Sequence, residues 1–317
     1  MIGVLTNIFY DLPEVIKQFS EAYEFFPAIF HCGWIVAVLL SIFGVVVVAR
    51  NQIFIGAAIT QTSIFSVSVA LSILGLESFA HANETNCQGI ILTVSILSAS
   101  LCAICTFVNK GALFSILRRI KLPFPVSKES TKKHGEDFTG WLFLLSSAGT
   151  IVLLSKSPVG KELIDQLLFS NIIGAEGSDV NLLIILFLTT LVLLIFFLNK
   201  ITLVFTDRDY SLAIHLPATR IEFIYSILAG ISLGLCIKVS GTLYTFGCLV
   251  LPVIIAANLV KSVRMLFLIS PIIAFVMSFI GFAAGNFYDI PQTQLTIFLM
   301  ALVYPLSFLY KIIFGRN

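Results

Sequence analysis

Long apolar runs separated by short polar segments dominate the 317-residue chain. Each run is close to the ~20 residues that an α-helix needs to cross the hydrocarbon core of a bilayer. The runs are too long and too uniformly apolar for barrel strands, so we expect helices that satisfy their own backbone groups in lipid. About nine runs occur, at residues 28–49, 53–76, 89–108, 138–155, 181–199, 222–238, 242–260, 265–285 and 295–314. The pattern predicts an all-α polytopic membrane protein with about eight or nine crossings.

The composition supports this class. Hydrophobic residues make up 58% of the chain and charged residues only 11%, with a mean hydropathy of +1.03. Soluble globular proteins carry roughly 25% charged residues. We therefore assign residues 28–317 to one transmembrane domain.

Residues 1–27 precede the first run and follow a different pattern. Their apolar residues recur at helical spacing, which is typical of an amphipathic helix lying at the membrane surface. These residues are Val4, Ile8, Leu12, Ile16, Phe19 and Tyr23. Acidic residues, and the lack of a basic start followed by an apolar stretch, argue against a signal peptide.

The basic residues predict an orientation. If the first residue lies outside and the runs alternate, 15 of the 19 Lys and Arg residues face the cytoplasm. The outer segments then hold 11 of the 17 acidic residues. Because cytoplasmic loops are enriched in Lys and Arg, we expect a multi-pass cell-membrane protein with a cytoplasmic C-terminus.

The longest predicted inner loop covers residues 109–137. It is basic and contains KLPFPVSKESTKKHGED, a Pro-interrupted, charged stretch with little apolar surface to bury. We interpret it as a determinant of topology that also contacts lipid headgroups.

Motifs for enzymatic chemistry are missing from the sequence. It has no GxxxxGK[ST] phosphate loop, no HExxH or GxSxG, and no pair of carboxylates inside a predicted span. We therefore expect no enzyme, no cofactor and no nucleic-acid partner. Any ATP-driven process would need a separate ATPase.

A second inner segment, FTDRDYSLAIHLPATRIEF at residues 205–223, predicts a short helix. Asp209 is expected to cap it, Tyr210, Leu212, Ala213 and Leu216 to form its apolar side, and Pro217 to end it. Such a helix between two spans is well placed to contact a soluble partner. A simple connecting turn is the alternative.

The stretch GAAITQTSIFSVS, residues 56–68, collects hydroxyls and an amide in a predicted span. It carries Thr60, Gln61, Thr62, Ser63, Ser66 and Ser68 but no ionisable group. Two interpretations stay open, because Ser and Thr also hold membrane helices together. The side chains either line a pathway or pack helices, and Gln61 favours the pathway since an amide at membrane depth needs water or a partner.

Four stretches of the chain resemble, in the same order along the sequence, motifs of one known family. Residues 238–260, KVSGTLYTFGCLVLPVIIAANLV, include Gly241, Leu249, Pro252 and Ala256. The others are GVVVVARNQIFIGAAITQ, ELIDQLLFSNIIG and GFAAGNFYDIPQTQL, the last with Gly281, Tyr288, Asp289 and Pro291. Together they resemble the permeases of ATP-binding-cassette importers for zinc, manganese and iron, over nearly the whole chain from about residue 26.

The resemblance implies partners and a coupling helix. Members of that family work as permease dimers with two cytoplasmic ATPase subunits and an extracytoplasmic solute-binding protein. Their coupling helix docks into the ATPase and carries an Asp, then an Ala four residues on, then a Gly. Within residues 205–221, Asp209 and Ala213 fit, whereas Pro217 stands at the Gly position.

The resemblance also places a pathway site on the second span. An Asp and a His four residues apart are thought to coordinate the ion there, and this chain has Ala57 and Gln61 instead. One explanation is a heterodimer in which a paralogous permease supplies both ligands. Another is weaker coordination, by Thr60, Gln61, Thr62 and Ser66, of a metal, a chelate or a non-metal substrate. The third is that these side chains only pack helices.

Two functions of other classes compete with an importer. A secondary transporter driven by an ion gradient would need ionisable residues inside its spans, which here are nearly empty of them away from their ends. A structural membrane scaffold gives no reason for the short helix. An ATPase that copurifies with the chain would separate the importer from both.

Overall fold

The computed structural model describes residues 12–50, 53–74, 84–107, 134–154, 172, 175 and 177–314. Helices make up most of this part, and it contains no β-strand. In chain order the helices are α1 (Leu12–Phe25), α2 (Pro27–Ala49), α3 (Phe54–Leu74), α4 (Glu84–Phe107), α5 (His134–Leu154), α6 (Gly177–Thr206), α7 (Arg208–Ala213), α8 (Ala218–Leu259), α9 (Val263–Phe287) and α10 (Gln292–Phe314). The predicted all-α class is confirmed.

In every predicted apolar run, nearly all of the described residues lie on a helix. Among the described residues α2, α6, α8, α9 and α10 are long and apolar enough to cross a membrane, and α3, α4 and α5 contain shorter apolar stretches. Two of the runs lie in α8, whose 42 residues are interrupted at Gly241 by a non-helical φ of 75° and ψ of 170°. The number of crossings stays a prediction.

One compact unit comprises Met1–Val45, Phe169–Leu191 and Val239–Asn317. Here α1 packs against α9 through an aromatic cluster. The ring of Phe19 lies 5.0 Å from that of Phe30 and 5.3 Å from that of Phe279, centroid to centroid. The Tyr23 hydroxyl and His31 Nε2 are 3.0 Å apart. The predicted N-terminal helix is therefore present from Leu12 onward, while its position in the membrane stays a prediction.

The core of this unit brings helix backbones close together. Tyr244 of α8 is 1% exposed, donates a hydrogen bond to the Gly33 carbonyl at 3.1 Å, and lies 2.8 Å from the Ser278 hydroxyl. Gly44 of α2 faces α8 so closely that a Cβ there would overlap the Leu249 carbonyl oxygen. Small residues permit such contacts between membrane helices.

The second compact unit comprises Val46–Leu168 and Val192–Lys238. Its α3 packs against α4 and α5. Glycines again mark close contacts, because a Cβ at Gly230 or Gly234 of α8 would overlap the backbone of α4 at Ser100 or Ile96. This packing holds the polar side of α3 against its neighbours.

Several predicted segments lie partly or wholly outside the described residues. Of the predicted loop 109–137, only residues 134–137 are described, and they begin α5 rather than continue a loop. Of the family-like stretch 162–174, only Ile172 is described. Residues 1–11 are also outside.

Candidate functional site

Four hydroxyls of the polar stretch on α3 bond to the backbone of their own helix, among them Ser68 Oγ, which donates to the Ile64 carbonyl at 2.9 Å. Thr60 Oγ1 donates to the Ala57 carbonyl at 2.9 Å, Thr62 Oγ1 to the Ala58 carbonyl at 2.7 Å, and Ser66 Oγ to the Thr62 carbonyl at 2.9 Å. Such bonds satisfy a hydroxyl in lipid without another helix. Thr60 is also 2% exposed, so it offers little surface to a solute.

Other hydroxyls join α3 to its neighbours. Ser63 Oγ lies 2.6 Å from Ser95 Oγ of α4, and Ser95 Oγ in turn donates to the Gly234 carbonyl of α8 at 3.3 Å. Thr62 Oγ1 also lies 3.3 Å from Ser146 Oγ of α5. For Ser63 the packing interpretation therefore holds. Sequence alone could not identify its partner, which lies 32 residues away on another helix.

Gln61 differs from its neighbours on α3. Its side chain is half-buried and forms no hydrogen bond within the described part of the chain. Ala57, one helical turn earlier, is 7% exposed and offers no donor atom. Among the described residues, no three or more His, Cys, Asp or Glu side chains are grouped so that they could hold a metal ion. Within the described part of the chain, Gln61 is thus the polar side chain of this stretch that forms no hydrogen bond.

The signature residues on α8 shape the helix itself. Gly241 is buried with a left-handed φ of 75°, a conformation that favours glycine. Thr245 Oγ1 donates to its carbonyl at 2.7 Å. Pro252 is buried inside the helix and lacks an N–H for the preceding turn. Ala256 is 0% exposed and permits close packing.

The short helix α7 is present, but its boundaries differ from the prediction. Asp207, not Asp209, is the N-cap, and its carboxylate accepts a hydrogen bond from the Tyr210 N–H at 3.0 Å. Asp209 lies in the first turn, where a negative charge still favours the helix dipole. The prediction was wrong because both aspartates precede the apolar residues, and only the extended backbone of Asp207 suits a cap.

The end of α7 was also predicted wrongly. The helix stops after Ala213, and His215 has a left-handed φ of 59°. Pro217 does not end α7; its carbonyl accepts the Ile221 N–H at 3.2 Å as α8 begins. Tyr210, Leu212 and Ile214 are 55%, 45% and 46% exposed. This segment therefore presents apolar side chains where they can meet another protein.

A buried ion pair beside α7 was not singled out from the sequence. Arg50 Nη2 lies 2.6 Å from Glu222 Oε1, with the side chains 16% and 1% exposed. The Arg50 guanidinium also lies 4.5 Å from the centroid of the Phe205 ring. Glu222, a carboxylate at the start of the apolar run 222–238, was the sequence feature that could have indicated an ion pair. Its partner lies 172 residues earlier in the chain, and sequence spacing cannot identify a partner so distant.

Comparisons with known proteins agree on one kind of molecule. The model of the "ABC 3 transport family" matches residues 100–311. "High-affinity zinc uptake system membrane protein ZnuB" of Buchnera aphidicola subsp. Baizongia pistaciae is 23% identical over 90% of this chain and 98% of its own length. "Probable iron transport system membrane protein" of Haemophilus influenzae is 21% identical over 59% of this chain and 66% of its own.

A solved structure has a similar fold. "PsaBC from Streptococcus pneumoniae in complex with Fab" aligns with a TM-score of 0.70 at 16% identity, covering 94% of this chain and 95% of that one. The relatives and the long apolar helices together make this chain a multi-pass membrane protein.

Proposed function

Because the chain belongs to the ABC 3 transport family, we propose that it is the permease subunit of an ATP-driven importer for a divalent transition metal. It is not itself an enzyme in this proposal. Two permeases form the pathway, two cytoplasmic ATPase subunits drive it, and an extracytoplasmic solute-binding protein delivers the ion. The zinc and iron named for the two relatives support a metal as cargo, without selecting one.

The observation that carries the proposal is α7. It is a six-residue helix with its own cap, placed between two much longer helices, and its residues Tyr210 and Leu212 are exposed. A scaffold or a gradient-driven transporter gives no use for such an element. Docking into an ATPase does, because nucleotide-driven closure can then move packed helices as rigid bodies.

The side chains of α3 favour a heterodimer with a paralogous permease. Imidazole and thiolate ligands suit zinc and iron, and carboxylate, carbonyl and water oxygens suit manganese, but a site needs several such ligands together. The hydroxyls of Thr60 and Ser66 donate hydrogen bonds to the backbone of their own helix. The side-chain carbonyl oxygen of Gln61 is then a single metal ligand on this helix, too few for a site. A second permease with an Asp and a His at the equivalent positions would complete the site. The face of α3 that carries Gln61 would then be a polar wall of the pathway.

The test is the subunit composition of the native complex. The complex is purified through a tag on this chain in mild detergent, and the intact assembly is weighed. We expect one copy of this chain, one related permease and two ATPase subunits. Two copies of this chain with ATPases would keep the importer but replace the metal with a chelated or non-metal substrate. Purification without any ATPase would overturn the importer and favour a gradient-driven transporter.

A further inference from the structure

Arg50 contacts both chain segments that flank α7. Phe205, under its guanidinium, is the second-last residue of α6. Glu222, its ion-pair partner, lies in the first turns of α8. The helix α7 and its turns occupy the chain between these two residues. A single side chain thus joins the segment entering α7 to the segment leaving it.

The groups that contact Arg50 both neutralise its charge and hold its side chain in place. Glu222 is 1% exposed and Phe205 is 5% exposed. Tyr225 extends the cluster, with its ring 4.8 Å from that of Phe205. The planar guanidinium of arginine can pair with a carboxylate in its plane while its face lies over an aromatic ring, whereas the ammonium of a lysine is a point charge without such a plane. A buried ion pair often adds no net stability over well-packed apolar residues, although removal of one partner alone is strongly destabilising.

Arg50 is also attached to the helices on either side of it in sequence. Its backbone N–H donates to the Val46 carbonyl at 3.1 Å, so it continues the last turn of α2. Phe54, four residues later, begins α3, the helix that carries Gln61. A displacement of the segments around α7 must therefore carry Arg50 along or break the ion pair, and Arg50 is joined to the start of α3 by only three intervening residues.

We propose that Arg50, held by Glu222 and Phe205, is the positioning residue that transmits movement of α7 to α3 and so couples ATP hydrolysis to opening of the pathway. This inference rests on the proposed function, because it requires an ATPase docked on α7. It assigns to the ion pair a mechanical role that is separate from folding. Breaking the link should uncouple transport without abolishing ATP hydrolysis.

The decisive variant removes both charges together. A single change, Arg50→Gln or Glu222→Gln, removes one charge of the ion pair while the other stays buried, which destabilises the chain. The double variant Arg50→Gln/Glu222→Gln removes that penalty, while a glutamine at position 50 is too short to reach position 222. A folding role predicts that transport recovers with stability in the double variant. A coupling role predicts that stability recovers and transport does not.

The measurement uses the complete transporter, with its ATPase subunits and solute-binding protein, in proteoliposomes supplied with ATP and with Zn²⁺ or Mn²⁺ as probes. Metal uptake and phosphate release are followed together. We expect the uptake per ATP hydrolysed to fall by about tenfold or more in the double variant, a size typical of coupling between sites. Arg50→Lys keeps the charge but not the planar contact, so its uptake per ATP hydrolysed should lie between the values for the wild type and the double variant.

Lys200→Gln serves as the matched control. Lys200 is an exposed cation on α6 whose Nζ lies 5.3 Å from the ring centroid of Phe197, outside the buried cluster. Its removal should leave uptake per ATP unchanged. A double variant that takes up metal with wild-type coupling would overturn the inference. If the double variant does not assemble, uptake per ATP hydrolysed is measured in Arg50→Lys instead. A wild-type ratio in Arg50→Lys would overturn the inference.

Failure of the proposed function would look different. A wild-type complex that binds no ATPase, or takes up metal equally well without ATP, refutes the importer itself. A wild-type complex with ATP-dependent uptake and an unaffected double variant refutes only the role of Arg50.

Discussion

At the scale of single residues, α3 shows how a helix in lipid uses polar groups without charge. Most of its hydroxyls form hydrogen bonds within the helix or to a serine of a neighbouring helix, whereas Gln61 forms none within the described part of the chain. The sequence could predict that these residues are polar and share a span. It could not predict which have partners, because Ser95 and Ser146 belong to helices whose pairing with α3 depends on the whole fold.

The hydrogen bond between Ser63 and Ser95 leads to a stability prediction. We expect Ser63→Ala to lower the free energy of unfolding by about 0.6 kcal/mol, the average for side-chain hydrogen bonds between membrane helices, and by no more than about 1.7 kcal/mol, the largest value found for them. Ser72→Ala, at an exposed site on the same helix, should change it by less than about 0.5 kcal/mol. Unfolding in mixed micelles measures both, and equal effects would show that the buried bond adds nothing.

At the scale of elements, apolar length predicted the helices well and local signals predicted their ends poorly. Nearly all of the described residues in every run became part of a helix because backbone groups in lipid leave no other choice. The ends of α7 depended instead on backbone conformation at Asp207 and His215. Two neighbouring aspartates look equivalent in sequence, and a left-handed histidine carries no sequence signal.

The cap of α7 can be tested directly. Asp207→Ala removes the acceptor for the Tyr210 N–H, and such changes cost about 0.5–2 kcal/mol. We expect faster amide hydrogen exchange across Arg208–Ala213 and a smaller amount of ATPase retained with the purified chain. Asp207→Asn keeps a capping oxygen and should resemble the wild type. Normal exchange in the alanine variant would mean that tertiary contacts, rather than the cap, hold α7.

Close contact between α2 and α8 gives a second prediction for this scale. Gly44→Ala would place a methyl group against the Leu249 carbonyl, and we expect destabilisation of about 1–3 kcal/mol, as for other overpacked sites. Gly140 on α5 has open space around it, so Gly140→Ala should be neutral or slightly stabilising. Thermal unfolding in detergent compares the two. Tolerance of alanine at Gly44 would show that the helices can separate at little cost.

At the scale of the whole molecule, charge and exposure describe its relation to the bilayer. Most of the side chains of α6 and α10 are not buried within the chain, so lipid or a second permease must cover them. The bias of Lys and Arg toward alternate loops predicts which ends face the cytoplasm. The charge bias follows from the sequence, whereas the exposure of α6 and α10 and the ion pair of Arg50 and Glu222 required the fold.

Orientation gives the prediction for this scale. A fluorescent protein that folds only in the cytoplasm, fused after the C-terminal residue, should fluoresce, and a periplasmic phosphatase fused there should be inactive. The same pair of reporters inserted after residue 161, in a predicted outer segment, should give the opposite result. An active phosphatase at the C-terminus would contradict the orientation and would also place α7 on the side without ATP.

The bonds that Thr60, Thr62 and Ser66 make within their own helix have a consequence for biosynthesis. Each forms as soon as α3 coils, before α4 and α5 have been made. An aspartate raises the apparent free energy of membrane insertion by up to roughly 2.5–3.5 kcal/mol at the centre of a span. A helix with a metal-ligating Asp at position 57, in its first turn, would meet part of that barrier each time it is translated. With alanine and glutamine at those positions, α3 can leave the translocon for lipid as an independent span. If the partner permease carries the ligands, the cost of inserting that aspartate falls on the partner alone. This subunit could then be inserted independently of the partner and before it.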